Sequence, residues 1–178
     1  MNRVGTMYGQ ALYALARAEC LSDTIFRQLQ LLKKCFDAEP EYVKLLSCAA
    51  LSKQERCQLV DDLGFFLHRY VLNYLKIMTE KEYLRHFSDS FSAYQLQYYH
   101  DQGILPVTAV TAFSLSRLQN QRLREKLAVI TRKDVLLSNR VDKALLGGIR
   151  LEYDSNQLED TISQRLETVR QLLKNTTL

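Results

Sequence analysis

The sequence predicts a mainly α-helical protein: an N-terminal six-helix bundle over residues 1–104, followed by a small α/β domain over 105–178. Three observations predict it. Apolar residues recur at three- and four-residue spacing through the first hundred positions, the period of a helix with one buried face. Two prolines and six glycines in 178 residues leave few turns. After Gly103 the period changes: Leu105, Val107, Ala109 and Thr111 alternate with other residues in a β-prone run.

The helices follow in order. Val4, Tyr8, Ala11, Leu12 and Leu15 form one apolar stripe of a first helix. A second starts near Ser22 or Asp23 and turns Ile25, Leu29, Leu32 and Phe36 inward. Pro40 suits the first turn of a short third helix through Leu46, where its missing N–H is not needed. Ser52-Lys53-Gln54-Glu55 is a capping box for a fourth. Phe66, Tyr70, Tyr74, Ile77 and Met78 line a fifth. Thr79-Glu80-Lys81-Glu82 has the same capping pattern and opens a sixth, with Leu84, Phe87, Phe91, Tyr94 and Tyr98 inward. Gly103 stops it, Pro106 lies just beyond, and the domain boundary falls at 103–106.

In the second half, 105–111 is a strand and 115–131 a helix with Leu115, Leu118, Leu123, Leu127 and Ile130 as core positions. Val135-Leu136-Leu137 makes a second strand, Val141 to Leu146 a short helix, and Ile149, Leu151 and Tyr153 a third strand. A last helix carries Leu158, Ile162, Leu166, Val169 and Leu173 on one face.

Composition excludes several functions. Formal net charge is +4, and all of it sits in residues 105–178, with 12 basic and 8 acidic side chains; residues 1–104 carry 12 of each. That surplus is too small for a nucleic-acid footprint, though it favours an acidic partner. The ten tyrosines concentrate in the neutral half and are not interleaved with basic residues as an RNA-binding sheet requires. His68, His86 and His100 share no metal-ligand spacing, and Asp61-Asp62 points to two faces of a helix, so neither a metal site nor a catalytic pair is expected. Cys20, Cys35, Cys48 and Cys57 contain no C-x-x-C pair and read as buried free thiols. No apolar run reaches the ~20 residues of a membrane span. The N-terminus lacks a secretory apolar region and has little transit-peptide character, which favours a cytosolic protein attached to a membrane only through something else.

The one Gly-Gly pair, Gly147-Gly148, invites a phosphate-binding reading. Phosphate loops run strand, glycines, helix, so that the helix N-terminus meets the anion. Here a short helix precedes the pair and a strand follows it. The pair is therefore a structural turn: Gly147 supplies a left-handed helix stop and Gly148 lets the chain enter a strand.

This stretch also carries a resemblance. Leu146-Gly147-Gly148-Ile149-Arg150-Leu151, followed by Leu158 to Leu166, resembles the C-terminal signature of bacterial F-type ATP synthase delta subunits, whose mitochondrial counterpart is the oligomycin-sensitivity-conferring protein. Glu159-Asp160-Thr161 stands where that family has Asp-Gly-Ser. Tyr8-Gly9-Gln10-Ala11-Leu12-Tyr13-Ala14-Leu15-Ala16 is similar to the family's first helix, with Gly9 in place of the usual alanine. Asn73 to Met78, then Glu80, resembles its fifth-helix ending, but Glu82-Tyr83 replaces the usual Gly-Arg. Val107 to Ala112 resembles the strand that opens its C-terminal domain.

The resemblance implies a stator part with no catalysis and no cofactor. It implies that the helical domain binds the N-terminal helical segment of an alpha subunit, and that 105–178 holds the C-terminal ends of the b-type stalk subunits. The subunit then resists rotor torque during proton-driven ATP synthesis. It sits on the cytoplasmic face of a bacterial cell membrane, which it touches only through the complex. Carried over by position, Tyr8, Ala11 and Ile77 contact the alpha segment, with Leu12, Leu15, Tyr74 and Met78 beside them; from periodicity alone all seven read as core. Arg117, Arg122, Arg124 and Lys126, with Arg165, Arg170 and Lys174, offer a basic surface for an acidic stretch of stalk, although each alone reads first as a solvated helix face.

Overall fold

The computed structural model describes residues 3–47, 51–153 and 156–161. The chain divides into two compact units, Met1–Tyr98 and Tyr99–Leu178.

The first unit is helical: α1 (Arg3–Ala18), α2 (Ser22–Ala38), α3 (Pro40–Leu46), α4 (Lys53–Asp61), α5 (Arg69–Glu80) and α6 (Phe87–Asp101), which runs on into the second unit. Its core is aromatic. Phe26 of α2 stacks on Tyr98 of α6 at 4.3 Å between centroids, and Tyr13 of α1 meets Tyr94 edge-on at 5.2 Å. Both α6 phenols also fasten the start of α2: Tyr94 Oη donates to the Ser22 carbonyl at 2.9 Å and Tyr98 Oη to Asp23 at 3.0 Å. An aromatic ring buried with its hydroxyl paired contributes both apolar area and orientation.

Ile25, Leu29, Leu32 and Phe36 are buried, and Pro40 occupies the first turn of α3. The Ser52 capping box is formed: Ser52 Oγ accepts from Glu55 N–H at 3.2 Å, and Glu55 accepts from Ser52 N–H at 2.8 Å. Three expectations are corrected. In α1 the buried positions are Gly5, Gly9, Leu12, Tyr13 and Ala16, so the inward face is turned by about one residue from the expected stripe. Phe66 is exposed and precedes α5. Thr79 does not cap α6. It is buried in the last turn of α5, because the inward stripe of Val71, Tyr74, Leu75 and Met78 carries that helix to Glu80, and a 3-10 turn at Leu84–His86 leads into α6. The thiols differ too: Cys20 and Cys35 are exposed and Cys57 is half-buried, while Cys48 lies outside the described residues.

The second unit is a four-stranded sheet in the order β2-β1-β3-β4. β1 (Ile104–Thr111) pairs in parallel with β2 (Asp134–Val141), and α7 (Arg117–Thr131) crosses between them. β3 (Gly148–Tyr153) lies antiparallel to β1, and β4 (Asn156–Thr161) antiparallel to β3. Leu105, Val107, Ala109, Val135 and Leu151 form the buried face, with Leu115, Leu123 and Leu127 packed on it. Asn139 ties β2 to β1, donating to the Ala109 carbonyl and to Thr111 Oγ1, both at 2.9 Å.

Here too the structure departs from expectation. Leu118 and Ile130 are exposed, because only one narrow side of α7 meets the sheet. Val141 ends β2, and the expected 141–146 helix is a 3-10 turn at Lys143–Leu145. The left-handed residues are therefore Leu146 (φ 58°) and Gly148 (φ 86°), not Gly147. Leu158 lies in β4 opposite Leu151, so strand pairing overrides the helical spacing at that point. Ile162, Leu166, Val169 and Leu173 lie outside the described residues, as do Arg165, Arg170 and Lys174. Among the described residues no helix is long and apolar enough to cross a membrane.

Candidate functional site

The candidate site starts from two glycines. A Cβ at Gly9 would stand 2.1 Å from the Ser90 carbonyl oxygen, and one at Gly5 2.9 Å from Asp89 Cβ and the His86 carbonyl. Glycine alone allows the backbone of α1 to come this close to α6. Docking through the glycine side leaves the bulkier side turned away. Met7, Ala11 and Leu15 are exposed, and Val4 and Tyr8 are half-buried.

α5 converges on the same point. Tyr74 is buried, and its hydroxyl donates to Ser90 Oγ at 2.6 Å. Burial pushes its phenol far above the ordinary range, against a smaller downward pull from Ser90. Val71, Leu75, Met78 and Thr79 complete the inward face, which leaves Ile77 45% exposed. The rim carries charge: Lys76 pairs with Asp61 of α4 at 2.5 Å, and Cys57 lies 3.8 Å from Glu80. Burial first, then Glu80, raises the Cys57 thiol pKa, which keeps it protonated.

The seven predicted positions therefore separate. Tyr8, Ala11, Leu15 and Ile77 reach the surface, with Leu15 41% exposed. Leu12, Tyr74 and Met78 are core, at 6%, 6% and 0% exposure, which corrects their placement among partner-contacting side chains. Gly147 lies in the bend before β3, and Gly148 is the first residue of that strand. Arg117, Arg122, Arg124 and Lys126 are all exposed on α7, and Arg124 lies 3.4 Å from Asp134. Sequence reasoning missed Tyr83, whose ring lies 6.0 Å from that of Tyr8. It also missed Gly5 and Gly9, although their four-residue spacing places both on one helix face.

The helical unit seats α1 on glycines and turns Met7, Ala11 and Leu15 outward, and no group of side chains that could hold a metal ion stands among the described residues. The chain belongs to the ATP synthase delta (OSCP) subunit family, whose pattern matches residues 4–173. Similar proteins include the ATP synthase subunit delta of Clostridioides difficile, 25% identical over 175 residues and covering 97% of each chain. That of Lactobacillus acidophilus is 27% identical over 95% of this chain and 93% of its own. A third, from Ilyobacter tartaricus, is named as sodium ion specific and is 24% identical over 94% of this chain and 96% of its own. The fold is shared with a chain of the Toxoplasma gondii mitochondrial ATP synthase hexamer at a TM-score of 0.80 and 15% identity, covering 97% of this chain and 98% of that one. The role is that of a non-catalytic stator component in the peripheral stalk of F-type ATP synthase.

Proposed function

We propose that the outward side of α1, with Ile77 of α5, binds the N-terminal helical segment of the alpha subunit. The sheet unit then holds the C-terminal ends of the b subunits. The subunit joins the catalytic head to the stalk and resists rotor torque while proton flow drives ATP synthesis. It lies on the cytoplasmic face of a bacterial cell membrane and meets that membrane only through the complex. The observation that carries this reading is the outward placement of Tyr8, Ala11, Leu15 and Ile77 on two helices that converge on Ser90. An amphipathic helix laid on an apolar face is a recurrent mode of recognition. Leu12, Tyr74 and Met78 support the face from below.

A part that bears load needs a stable contact. Nanomolar affinity corresponds to about 12 kcal/mol, and stable interfaces bury roughly 1,200–2,000 Å². The test is calorimetric titration of the full chain with a peptide of the first twenty or so residues of its own alpha subunit. One-to-one binding is expected, weakened about tenfold by Tyr8→Ala and by Ile77→Ala, since each loses a contact of about 1.4 kcal/mol. A folded wild-type chain that does not bind the peptide removes the reading.

A further inference from the structure

Tyr83 follows α5 and belongs to no helix, yet it reaches the same face because of how α5 ends. Glu82 N–H donates to the Thr79 carbonyl at 3.1 Å and Tyr83 N–H to the Met78 carbonyl at 2.8 Å. That pair of bonds is a Schellman ending, and it places a left-handed residue at Glu82, with φ 59°. Arg56 of α4, 4% exposed, stands behind it with its guanidinium 3.6 Å from the Glu82 carboxylate. The chain reverses at Glu82 and sets the Tyr83 ring 6.0 Å from the Tyr8 ring, tilted by 53°. Both rings are half-buried, so each retains uncovered area beside the other.

We infer that Tyr83 is a further partner-binding residue, forming with Tyr8 an aromatic wall at one edge of the face, against which the alpha segment packs an apolar side chain. The inference rests on the function proposed for α1 and α5. Its support is continuity: Tyr83 extends the surface that Tyr8 belongs to, held in place by the α5 ending. Paired tyrosines also bring large rigid area at small entropic cost, which is why tyrosine is enriched where binding energy concentrates. The occupant is an amphipathic helix because the wall stands at the edge of an apolar helical face.

The experiment is the same titration, with the full chain and the alpha peptide as probe. Tyr83→Ala is expected to weaken binding about tenfold. Tyr83→Leu keeps an apolar group at the α5 ending but removes the ring, and is expected to lose about as much; Tyr83→Phe is expected to bind within about twofold of wild type. Thermal melts establish which variants are folded, and if Tyr83→Ala is not, Tyr83→Leu decides. Weakening by Tyr8→Ala with wild-type affinity in folded Tyr83→Leu would overturn this inference and leave the α1–α5 reading intact. A wild-type chain that fails to bind overturns both.

Discussion

Gly9 rests on the backbone of Ser90: a Cβ added to it would lie 2.1 Å from the Ser90 carbonyl oxygen and 3.0 Å from Ala93 Cβ. The oxygen belongs to a helix backbone and cannot step aside like a flexible side chain. Gly9→Ala, which restores the alanine usual in the resembling first-helix pattern, must therefore push α1 away from α6. Overpacking of this kind costs about 1–3 kcal/mol and outweighs the ~1 kcal/mol that alanine gains in a helix. A thermal melt is expected to fall by several degrees, at roughly 4–8 °C per kcal/mol for a domain of this size. An unchanged or raised melting temperature would show that α1 is not seated on its glycines.

Tyr74 donates to the other side of the same serine and gives that junction a pH dependence. Its pKa is raised, chiefly by burial, and burial also raises that of Tyr94, with Tyr13, Tyr98 and Asp23 adding to the effect. A phenol whose folded pKa lies above its unfolded one contributes stability that is complete below about pH 10 and lost as pH rises toward the folded value. Tyr74→Phe removes a hydrogen bond worth about 0.5–1.5 kcal/mol at neutral pH. It also removes one of the groups that titrate on unfolding. Urea unfolding at pH 7 and again above pH 10 is expected to show the variant weaker at neutrality and the gap closing in alkali. A gap that stays constant would mean that Tyr74 is not shielded from water.

Legibility followed the strength of the apolar signal. α2 was readable because Ile25, Leu29, Leu32 and Phe36 are large, buried and on one side. The face of α1 was displaced because its closest contacts are made by Gly5 and Gly9, which carry no hydrophobic signal. Thr79-x-x-Glu82 has the composition of a helix start but ends α5, since a capping motif does not say whether the preceding apolar run has finished. Leu158 fits a helical stripe, but its partner on β3 is Leu151, close by in sequence, so the antiparallel pairing lay within local reach and the helical spacing obscured it. For the site, periodicity reports which residues are apolar and not which are covered. Leu12 and Leu15 look alike in sequence; one is core and the other surface. Only the resemblance pointed to Tyr8, Ala11 and Ile77.

The start of α4 offers a prediction independent of the site. Ser52 and Glu55 cap that helix reciprocally. The Ser52 backbone N–H, and then its hydroxyl, hold the Glu55 carboxyl below the ordinary carboxylate range. A depressed carboxylate pKa contributes stability above its unfolded value and loses it as pH falls through the folded value. Ser52→Ala is expected to cost about 1 kcal/mol at pH 7. The cost should shrink as pH falls and Glu55 protonates, because the Ser52 hydroxyl then no longer supports a carboxylate, while the bond it accepts from Glu55 N–H is unchanged. Chemical denaturation at pH 7 and pH 3 checks this; an equal cost at both would show that the two halves of the cap act separately.

Arg56 and Glu82 make the sharpest test of how the α5 ending is held. Glu82 is left-handed, a conformation that costs a non-glycine residue about 1 kcal/mol or more. Arg56 is a buried cation whose Nε and Nη1 have no hydrogen-bond partner, with Nη1 3.6 Å from Glu82. Glu82→Gly relieves the backbone but leaves that cation without its carboxylate. Stranding a buried charge costs about 3–5 kcal/mol in the deepest cases, and less here because the Glu82 side chain is 63% exposed. The two effects oppose, and the loss is expected to win: Glu82→Gly should destabilise the wild-type chain modestly. In an Arg56→Met background the cation is gone and only the backbone relief remains, so the same substitution should stabilise by about 1 kcal/mol. The cycle of wild type, two single variants and the double variant, followed by urea unfolding, reads the coupling directly. A sign reversal at position 82 with the identity of residue 56 is the expected result. Equal stabilisation in both backgrounds would mean that Arg56 does not hold the turn, and that the placement of Tyr83 beside Tyr8 rests on the Schellman hydrogen bonds alone.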